Sequence, residues 1–513
     1  MSRIDLERTG TQHASQAERD EESNASAFGR LLTTPLPQGI AVQCAAYAAA
    51  LALFGLWHWT ASFGDMTVEQ ILLHLKYANG LVHVDSSQVI ACLGWVLGWP
   101  LLLSTTLVPI AFALLHLVGD HPSPRASRMA ASADRGLRAL PLPIAVLALW
   151  LLGSHLHIVE FAMSFQPDEY LAQHYLPPNA ALLRPHEPRN LVLIYAESME
   201  ADYADKNAFG RDLIAPLNDL HALSFDRYEQ LQGTGWTIAA MVATQCGVPL
   251  KIVTLWDSNT QGQMMNRFLS RATCLTDLLH DEGYRNVFMG GASLTFGGKG
   301  KFLRSHHYDE ILGLDQWRAS GLDNTHFSGW GMHDDDLFKG ARGKIDDLHA
   351  AGHPFSLVLL TVDTHSPHGQ VSAECQKAGA VALDQIISCS SRQIAGFVHY
   401  VQQHGYDRDT QIVIIGDHLT MPSTLSDQIA QVPHRSIFNA FVSPEPHAKA
   451  RESLVHFDML PTILDFMGLQ VAGGKLGLGD SAFQDGQDAT IDEQRQKMVR
   501  GLQHQSRTYV NLW

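Results

Sequence analysis

The chain has 513 residues, with 52 Asp and Glu against 36 Lys and Arg, so its formal net charge at pH 7 is −16. This length exceeds that of one ordinary domain, and we expect two or more parts. Nucleic-acid-binding surfaces are basic and clustered, so the acidic balance argues against a nucleic-acid partner. The 27 histidines give only weak support for metal chemistry, because most histidines are surface or supporting groups.

The amino-terminal part of the sequence changes from polar to apolar. Residues 1–38 are rich in Ser, Glu, Asp and Arg and lack the apolar core of a cleaved signal peptide, which predicts a disordered cytoplasmic tail. Residues 39–158 are predicted to form a transmembrane region, because the apolar segments 39–62, 88–118 and 139–158 are long enough to cross a bilayer. Buried core helices are the alternative, but the absence of charged residues within each segment favours the membrane.

Arginines indicate how these helices are oriented. The connection between the second and third segments contains Arg125, Arg128, Arg135 and Arg138. The connection between the first and second segments has a single basic residue, Lys76. Because positively charged connections remain in the cytoplasm, we predict that the amino tail is cytoplasmic and that everything after the third segment lies outside.

The part outside the membrane is predicted to contain a Pro-containing linker at 159–188, a catalytic domain at 189–475 and a carboxyl-terminal extension at 476–513. Within the domain, short apolar runs alternate with helical patterns. Alternation of this kind is typical of an α/β sandwich with a mostly parallel sheet.

Three of the apolar runs end in side chains that can bind a metal ion. Glu197 follows NLVLIYA, His365 follows FSLVLLTVDT, and Asp417 and His418 follow QIVIIG. In a doubly wound sheet, chemistry collects beyond the carboxyl ends of the strands, so we expect these side chains to lie together. Two carboxylates and an imidazole suit a borderline divalent cation such as Zn²⁺ or Mn²⁺.

A candidate nucleophile lies between the first two of these strands. Gly233 and Gly235 mark a tight turn, and the apolar run after them predicts a helix that opens at Thr237. A hydroxyl at a helix amino terminus lies where backbone N–H groups favour an anion such as phosphate. The alternative is that Thr237 only caps the helix.

Cysteine usage agrees with an oxidising exterior. Four cysteines lie outside the membrane segments, at Cys246, Cys274, Cys375 and Cys389. The sequence alone does not fix their connectivity. We favour pairing Cys246 with Cys274 and Cys375 with Cys389, because these pairs close the shorter loops.

Six motifs occur in a fixed order behind the membrane helices, and together they resemble the sulfatase-like branch of the alkaline phosphatase superfamily. They are NLVLIYAESME, GTGWTIAAMVATQCGVPL, GGKGKFLRSHHYDE, FSLVLLTVDTHSPHG, VIIGDHLTM and HFDMLPTILDFMG. Within that branch the chain is most similar to phosphoglycerol transferases of osmoregulated periplasmic glucans, and more distantly to lipoteichoic acid synthases. The resemblance implies an alkaline phosphatase/sulfatase-like fold behind a helical membrane region. In two places we expect the sequence to depart from this resemblance: it does not match the large additional carboxyl-terminal region of the best-known glucan enzyme, nor one amino-terminal membrane helix.

The resemblance also implies a site. Glu197, Thr237, Asp417 and His418 correspond to the ligands of one divalent metal ion, with Mn²⁺ preferred and Zn²⁺ as the alternative, and Thr237 corresponds to the nucleophile. A free Thr hydroxyl is a weak nucleophile at neutral pH, and a bound divalent cation would lower its pKa. His365 corresponds to a histidine that contacts the phosphoryl group or protonates a leaving oxygen, against the alternative of a hydrogen-bonded histidine at a strand end.

Further residues are expected to bind the substrate. They are Lys299, Arg304, His306 and Trp330. Lipoteichoic acid synthases have Trp and Arg where this chain has Gly297 and Lys299, so Lys299 is the preferred phosphate contact; a solvated glycine-rich loop is the alternative. Asp334 to Asp336 are predicted to begin a helix rather than to bind a second metal.

The implied reaction moves phosphoglycerol from phosphatidylglycerol to periplasmic glucans through a phospho-threonine, with release of diacylglycerol. It implies a multi-pass protein of the bacterial inner membrane with a periplasmic catalytic domain. A sulfatase would need a Cys or Ser precursor of formylglycine followed by Pro and Arg, and GTGWTIA has neither. A phosphoethanolamine transferase acting on lipid or glycan acceptors shares the same four ligands and remains the alternative. The non-enzymatic alternative is a membrane-anchored, metal-stabilised scaffold.

Overall fold

The computed structural model describes residues 38–63, 67–68, 71–72, 86–120, 123–163, 170–251, 267–484, 491–502, 504 and 506–513. The predicted cytoplasmic tail lies outside these residues except for its last position. The chain divides into two compact units. The first contains Met1–Trp59 and Val89–Leu152, and the second contains Thr60–Gln88 and Gly153–Trp513.

The first unit is helical. Its helices are α1 (Gln38–Ala61), α2 (Ser86–Leu93), α3 (Trp99–Gly119), α4 (Pro124–Ala139) and α5 (Pro141–His155), with a π-helical turn at Gly94–Gly98 between α2 and α3. Among the described residues, three helical stretches are long and apolar enough to cross a membrane, namely Gly39–Ala61, Val89–Gly119 and Pro124–His155. The part of the chain that the structure describes therefore contains three candidate membrane-spanning stretches, the number that the sequence predicts.

The third of these stretches is longer than predicted. The arginine-bearing connection, expected as a loop, is the helix α4, which has Pro124 in its first turn. A single residue, Leu140, separates α4 from α5. Proline is tolerated in a first turn because the N–H that it lacks would have no partner inside the helix. Charge alone therefore did not reveal that this connection is helical.

The second unit is built on β-strands and helices in alternation. The strands are β1 (Leu183–Pro185), β2 (Asn190–Ala196), β3 (Arg227–Glu229), β4 (Arg285–Gly290), β5 (Glu310–Leu312), β6 (Phe355–Leu360), β7 (Thr410–Gly416), β8 (Asn439–Val442), β9 (Ser453–Val455), β10 (Leu469–Val471), β11 (Lys475–Leu476) and β12 (Gly479–Asp480). The α-helices are α6 (Ile158–Met163), α7 (Tyr170–His174), α8 (Lys206–Phe209), α9 (Ala215–Asn218), α10 (Thr237–Cys246), α11 (Leu275–Asp281), α12 (Lys299–Ser305), α13 (Leu314–Ala319), α14 (Asp334–Ala351), α15 (Ala373–Lys377), α16 (Leu383–Gln403), α17 (Ser426–Ile429), α18 (Met459–Phe466), α19 (Ile491–Leu502) and α20 (Arg507–Val510).

Six strands form the central sheet in the order β5-β4-β6-β2-β7-β8. Every neighbouring pair is parallel except β7 with β8, which is antiparallel. The prediction of a mostly parallel sheet is therefore confirmed. Apolar runs such as IVIIG in β7 are buried along their whole length, as expected for strands with both faces covered.

The two faces of the sheet pack into separate cores. Along β2, Leu191, Leu193 and Tyr195 belong to one hydrophobic cluster, whereas Val192 and Ile194 belong to the other. This alternation follows from the two-residue period of a strand. Residues of α10, α11 and α18 join the first cluster, and residues of α14 and α16 join the second. The result is a sheet between two helical layers.

The predicted linker and the predicted carboxyl-terminal extension are parts of the second unit's core. Strand β1 pairs antiparallel with β10. Leu171 and Leu183 from the linker, and Tyr509 and Trp513 from the extension, are buried in the same cluster as the first face of the sheet. These apolar residues are sparse in polar sequence, so local patterning did not show that they pack at long range.

Both predicted disulfides are present. Cys246 at the end of α10 is bonded to Cys274, which immediately precedes α11, and Cys375 in α15 is bonded to Cys389 in α16. The first bond therefore joins the end of the helix that begins at Thr237 to the start of α11.

Candidate active site

The proposed metal ligands lie at the ends of two adjacent central strands. Glu197 follows β2, and Asp417 and His418 follow β7. One ligand atom from each of the three lies within 4.8 Å of the other two, and all three side chains are buried. The strand-end prediction therefore places these three residues together correctly.

The donor set fits a divalent cation. Asp417 Oδ1 accepts the backbone N–H groups of Ser198 at 2.8 Å and His418 at 2.9 Å, whereas Asp417 Oδ2 is buried and has no hydrogen-bond partner among the described residues. Burial, with a smaller contribution from the Glu197 carboxylate, raises the pKa of Asp417 to about 6. A buried oxygen without a partner, close to a second carboxylate, is the environment that a cation would stabilise.

His418 is oriented so that its Nε2 faces the two carboxylates. Its Nδ1–H donates to the carbonyl of Leu419 at 2.9 Å, which leaves Nε2 with a lone pair. Nε2 lies 3.4 Å from Asp417 Oδ2 and 3.7 Å from Glu197 Oε1. Burial lowers the pKa of this histidine, but the two carboxylates raise it more, so the pKa is above its usual value.

Thr237 is the first residue of α10 and does not cap it. The residue before the helix is Trp236, and it forms no side-chain capping bond. The Thr237 hydroxyl instead points to Glu197 Oε2, at 3.5 Å. The turn before the helix contains Gly233 at φ +81°, where a Cβ would lie 2.9 Å from that of Pro249, so this turn requires glycine.

A pocket opens beside Glu197 and Thr237. Its lining is Glu197, Thr237, Ala292, Ser293, Phe296, Lys299, Gly329, Trp330, Leu360, Thr361, Val362 and His365. The predicted phosphate contact Lys299 is almost fully buried, and burial lowers its pKa to about 8 although Glu197 and Asp417 act in the opposite direction. Lys299 Nζ also lies 5.5 Å from the centroid of the Phe296 ring.

His365 lies in the same pocket in a defined tautomer. Its Nδ1–H donates to the Ser366 carbonyl at 2.7 Å, so Nε2 carries the lone pair. Burial lowers the pKa of His365 to about 4. The indole of Trp330 stacks on the imidazole, with 3.8 Å between ring centroids. The Nε2 of His365 is therefore the ring nitrogen that can accept a hydrogen bond from a group in the pocket.

Two of the predicted substrate contacts do not face this pocket. Arg304 is exposed, and His306 is buried, with Nδ1 2.8 Å from Asp277 Oδ2 and Nε2 3.1 Å from the Phe268 carbonyl. The prediction was wrong for both, because Lys299 begins the two-turn helix α12. Arg304 and His306 lie roughly 8 to 10 Å further along its axis. His306 also approaches Cys274, but that cysteine is in a disulfide and cannot bind a metal.

Hydroxyl groups that the sequence analysis did not single out hold the backbone of Glu197. Thr361 Oγ1 accepts the Glu197 N–H at 2.8 Å, and the Thr364 hydroxyl donates to the Glu197 carbonyl at 2.6 Å. Both threonines are buried and follow β6, the neighbour of β2. Two threonines in the short motif TVDTH, at the end of an apolar strand, were the available signal.

The predicted helix at Asp334 is present, and its first residue shapes the loop that carries His365. Asp334 accepts the N–H groups of Val362 at 2.8 Å and Asp363 at 3.2 Å. Asp363 in turn accepts the Asp334 N–H at 3.0 Å and the His333 Nδ1–H at 2.7 Å. Burial raises the pKa of both carboxyl groups. These acids therefore fix a loop and are not positioned as a second metal site.

Comparison with known proteins identifies the family of the catalytic part of the chain. Residues 189–469, more than half of the chain, match the family model described as Sulfatase. Phosphoglycerol transferase I of Xanthomonas campestris pv. campestris is 41% identical over 251 residues, which cover 47% of this chain and 35% of that protein. Phosphoglycerol transferase I of Shigella flexneri is 34% identical over 328 residues, covering 61% and 41% respectively.

This chain therefore spans well under half the length of these two relatives. The crystal structure of the lipoteichoic acid synthase LtaP from Listeria monocytogenes is similar at a TM-score of 0.44 and 14% identity, over 58% of this chain and 75% of that one. On the match of residues 189–469, the chain belongs to the sulfatase family.

Proposed function

We propose that the chain is a membrane-anchored transferase that moves phosphoglycerol from phosphatidylglycerol to a periplasmic glucan through a covalent phospho-threonine. The observation that carries the proposal is the Thr237 hydroxyl, which lies 3.5 Å from Glu197 Oε2 at the edge of an accessible pocket. The relatives named phosphoglycerol transferase I support the choice of the transferred group. A threonine at this position also excludes the formylglycine chemistry of a true sulfatase.

In the first displacement, Thr237 Oγ1 attacks the phosphorus of the phosphodiester. The bond between phosphorus and the diacylglycerol oxygen breaks, and phosphoglycerol stays on Thr237. In the second, an acceptor hydroxyl attacks the same phosphorus and Thr237 leaves. In the first step the proton of the Thr237 hydroxyl ends on the diacylglycerol oxygen, and in the second step the proton of the acceptor hydroxyl returns to the Thr237 oxygen, so no further reactant is required.

The chain's own residues supply binding and orientation in both steps. A divalent cation held by Glu197, Asp417 and His418 supplies, when bound, neutralisation of phosphoryl charge and a lower pKa for the Thr237 hydroxyl. Lys299 binds the phosphate oxygens from the side of the pocket. His365 accepts a hydrogen bond from the acceptor hydroxyl at Nε2 and orients it for attack, because its Nδ1–H is already donated to Ser366.

The lining of the pocket favours a glycerol head group over an ethanolamine head group. Among the described residues, Glu197 is the only carboxylate in the lining, and it is committed to the metal. The ammonium of phosphatidylethanolamine would therefore find the cationic Lys299 and no carboxylate to pair with it. A glycerol head group carries no charge, and its hydroxyl groups can bind the Ser293 hydroxyl in the same lining.

The site also bears on the metal and the compartment. Two carboxylates and a threonine hydroxyl outnumber the single imidazole, and such oxygen-rich sets suit Mn²⁺ better than Zn²⁺. The two disulfides and the arginines of α4 support a catalytic domain in the periplasm, anchored in the inner membrane by three helices.

The test uses phosphatidylglycerol labelled in its head group and the purified full chain in detergent with Mn²⁺. We expect label on the protein, located on Thr237 after digestion, with diacylglycerol released in equal amount. Thr237→Ala should give no adduct, and Thr237→Ser should retain part of the activity. Added β-glucan should remove the label and carry phosphoglycerol. Preferential labelling by phosphatidylethanolamine would replace the proposed donor, and label on another residue would overturn the mechanism.

A further inference from the structure

Ser198 makes a hydrogen bond to each of the two carboxylate ligands. Its hydroxyl donates to Glu197 Oε1 at 2.8 Å, and its backbone N–H donates to Asp417 Oδ1 at 2.8 Å. The side chain is almost completely buried. One residue therefore restrains the ligands that come from two different strands.

The bonds from Ser198 limit how each carboxylate can turn. Asp417 Oδ1 is already occupied by two N–H groups, and Oδ2 is left as the buried oxygen without a partner among the described residues. Glu197 Oε1 is held by the Ser198 hydroxyl, which leaves Oε2 facing Thr237 at 3.5 Å. Asp417 Oδ2 and Glu197 Oε1 lie 3.4 Å and 3.7 Å from His418 Nε2, so the two carboxylates that Ser198 restrains both face the same imidazole nitrogen.

The backbone of Ser198 has a conformation that is unusual for a residue other than glycine. Its φ is +50°, in the left-handed region, where a residue with a Cβ is strained and glycine is not. The strained φ lets the N–H reach Asp417 while the hydroxyl turns back to the preceding residue. Glycine would make the same backbone bond without strain, so the hydroxyl is the feature that glycine could not replace.

We propose that Ser198 is a positioning residue that sets the metal affinity of the site through its hydroxyl, without itself binding the metal. Residues that hold ligands in place commonly change metal affinity 10- to 100-fold when they are replaced. The proposal concerns the metal site of the proposed transferase. Its test measures metal binding, which does not depend on which group is transferred.

The test compares two variants with a matched control in the purified full chain. Ser198→Ala keeps the strained φ and removes only the hydroxyl. Ser198→Gly also removes the hydroxyl but relieves the strain. Ser356→Ala removes a buried serine hydroxyl from β6 at the register of Leu191, at the opposite end of the sheet. Among the described residues, the Ser356 hydroxyl has no hydrogen-bond partner.

Calorimetric titration with Mn²⁺ should give a Kd raised about 10- to 100-fold in both Ser198 variants and unchanged in Ser356→Ala. In the metal-free state, Ser198→Gly should melt at the wild-type temperature or above it. Its metal affinity would then be lower than that of the wild type while its thermal stability is not. A role in folding alone would instead lower the melting temperature in parallel with affinity. Wild-type Kd values in both Ser198 variants would overturn the proposal.

The proposed transfer reaction provides a separate check. At saturating Mn²⁺, Ser198→Gly should recover adduct formation on Thr237 with a wild-type KM for the lipid, because only the metal affinity is changed. The Ser198 variants could show the expected rise in the Kd for Mn²⁺ while the wild-type protein forms no adduct with the lipid. That result would contradict the proposed function and would still support the role of Ser198. Loss of adduct at saturating metal would show that the hydroxyl acts on more than affinity and would overturn the proposal as stated.

Discussion

The hydroxyl of Thr364 donates to the backbone carbonyl of Glu197 at 2.6 Å, and both residues are buried. This bond ties the loop after β6 to the end of β2, where the first metal ligand lies. Replacing Thr364 by Val keeps the shape and leaves the buried carbonyl of Glu197 without that donor. We expect the free energy of unfolding to fall by about 1 to 3 kcal/mol.

Urea unfolding of the metal-free protein measures this change. The exposed residue Thr424 offers the control, because Thr424→Val makes the same substitution at the surface and should stay within about 0.5 kcal/mol of wild type. Equal stability of both variants would mean that the carbonyl of Glu197 finds another donor when Thr364 is replaced.

The disulfide between Cys375 and Cys389 should contribute to stability and not to metal binding. It closes a loop with a sequence separation of 14, for which loop-closure entropy gives about 3 kcal/mol. We expect the double replacement Cys375→Ala and Cys389→Ala to lower the free energy of unfolding by this amount while Mn²⁺ occupancy is unchanged. Peptide mapping of the wild-type protein under non-reducing conditions should recover the bonded pair, and free thiols there would contradict the assignment.

The sequence predicted the part of the site that depends on strand ends. Glu197, Asp417 and His418 could be grouped from their positions after apolar runs, because parallel strands end at the same edge of a sheet. The ends of the strands β2, β6 and β7 could be located because each strand is a mostly apolar run in the sequence. The local sequence shows where these strands end because the length and burial of a strand follow from the length and composition of its apolar run.

The features that were not predicted from the sequence depend on contacts between residues that lie far apart in the chain or on the geometry of a whole element. His306 was expected at the phosphate because it lies close in sequence to Lys299, but the direction and length of α12 place it against Asp277. The positive φ of Ser198 and the packing of Trp513 against Phe268 arise from contacts between distant segments. No periodic pattern in the sequence encodes those contacts.

Metal affinity should depend on pH through Asp417. Burial raises the pKa of its carboxyl group to about 6 in the metal-free protein, so below this pH a proton must leave before the cation can bind. The pKa of His418 is also raised above its usual value by the two carboxylates, so we expect Mn²⁺ affinity to fall as the pH falls through 6, with up to two protons released per cation bound when both ligands are protonated. Titrations in two buffers of different ionisation enthalpy should show proton release that grows as pH falls through 6.

The same carboxyl group should destabilise the metal-free protein at neutral pH. Its folded pKa lies above the unfolded value near 4, so the group contributes stability below pH 4 and loses it as the pH rises through 6. Asp417→Asn should therefore stabilise the metal-free protein at pH 7, on the order of 1 to 3 kcal/mol, and change little at pH 4. Denaturant unfolding with a chelator at both pH values measures the difference. Destabilisation at pH 7 would mean that the two N–H donors and His418 stabilise the ionised carboxylate by more than its burial costs.

The orientation of the membrane helices can be tested with fusions. Alkaline phosphatase fused after residue 160 should be active, because it would fold in the oxidising periplasm. A fusion within α4, among Arg125 to Arg138, should be inactive because these arginines remain in the cytoplasm. Activity of the second fusion and not of the first would invert the topology and place the disulfide-bonded domain in a reducing compartment.

Selection of the donor head group should depend on Lys299. Its ammonium is buried in the pocket, beside the Phe296 ring and close enough to Glu197 and Asp417 for them to affect its pKa. A second cation entering with phosphatidylethanolamine would be repelled there, because charges interact strongly where water is excluded. Lys299→Gln should lower adduct formation from phosphatidylglycerol, since a phosphate contact is lost, and should reduce the preference over phosphatidylethanolamine by at least about tenfold.

Lys301→Gln is the matched control, since Lys301 lies two residues further along α12 and does not line the pocket. Both variants lose one positive charge from the same helix, so a general change of surface potential would affect them equally. Competition between differently labelled phosphatidylglycerol and phosphatidylethanolamine in mixed micelles measures the preference directly. If Lys299→Gln loses activity while the ratio between the two lipids stays at its wild-type value, Lys299 binds phosphate without discriminating the head group. The preference would then have to come from uncharged groups in the pocket, of which Ser293 is the first to replace.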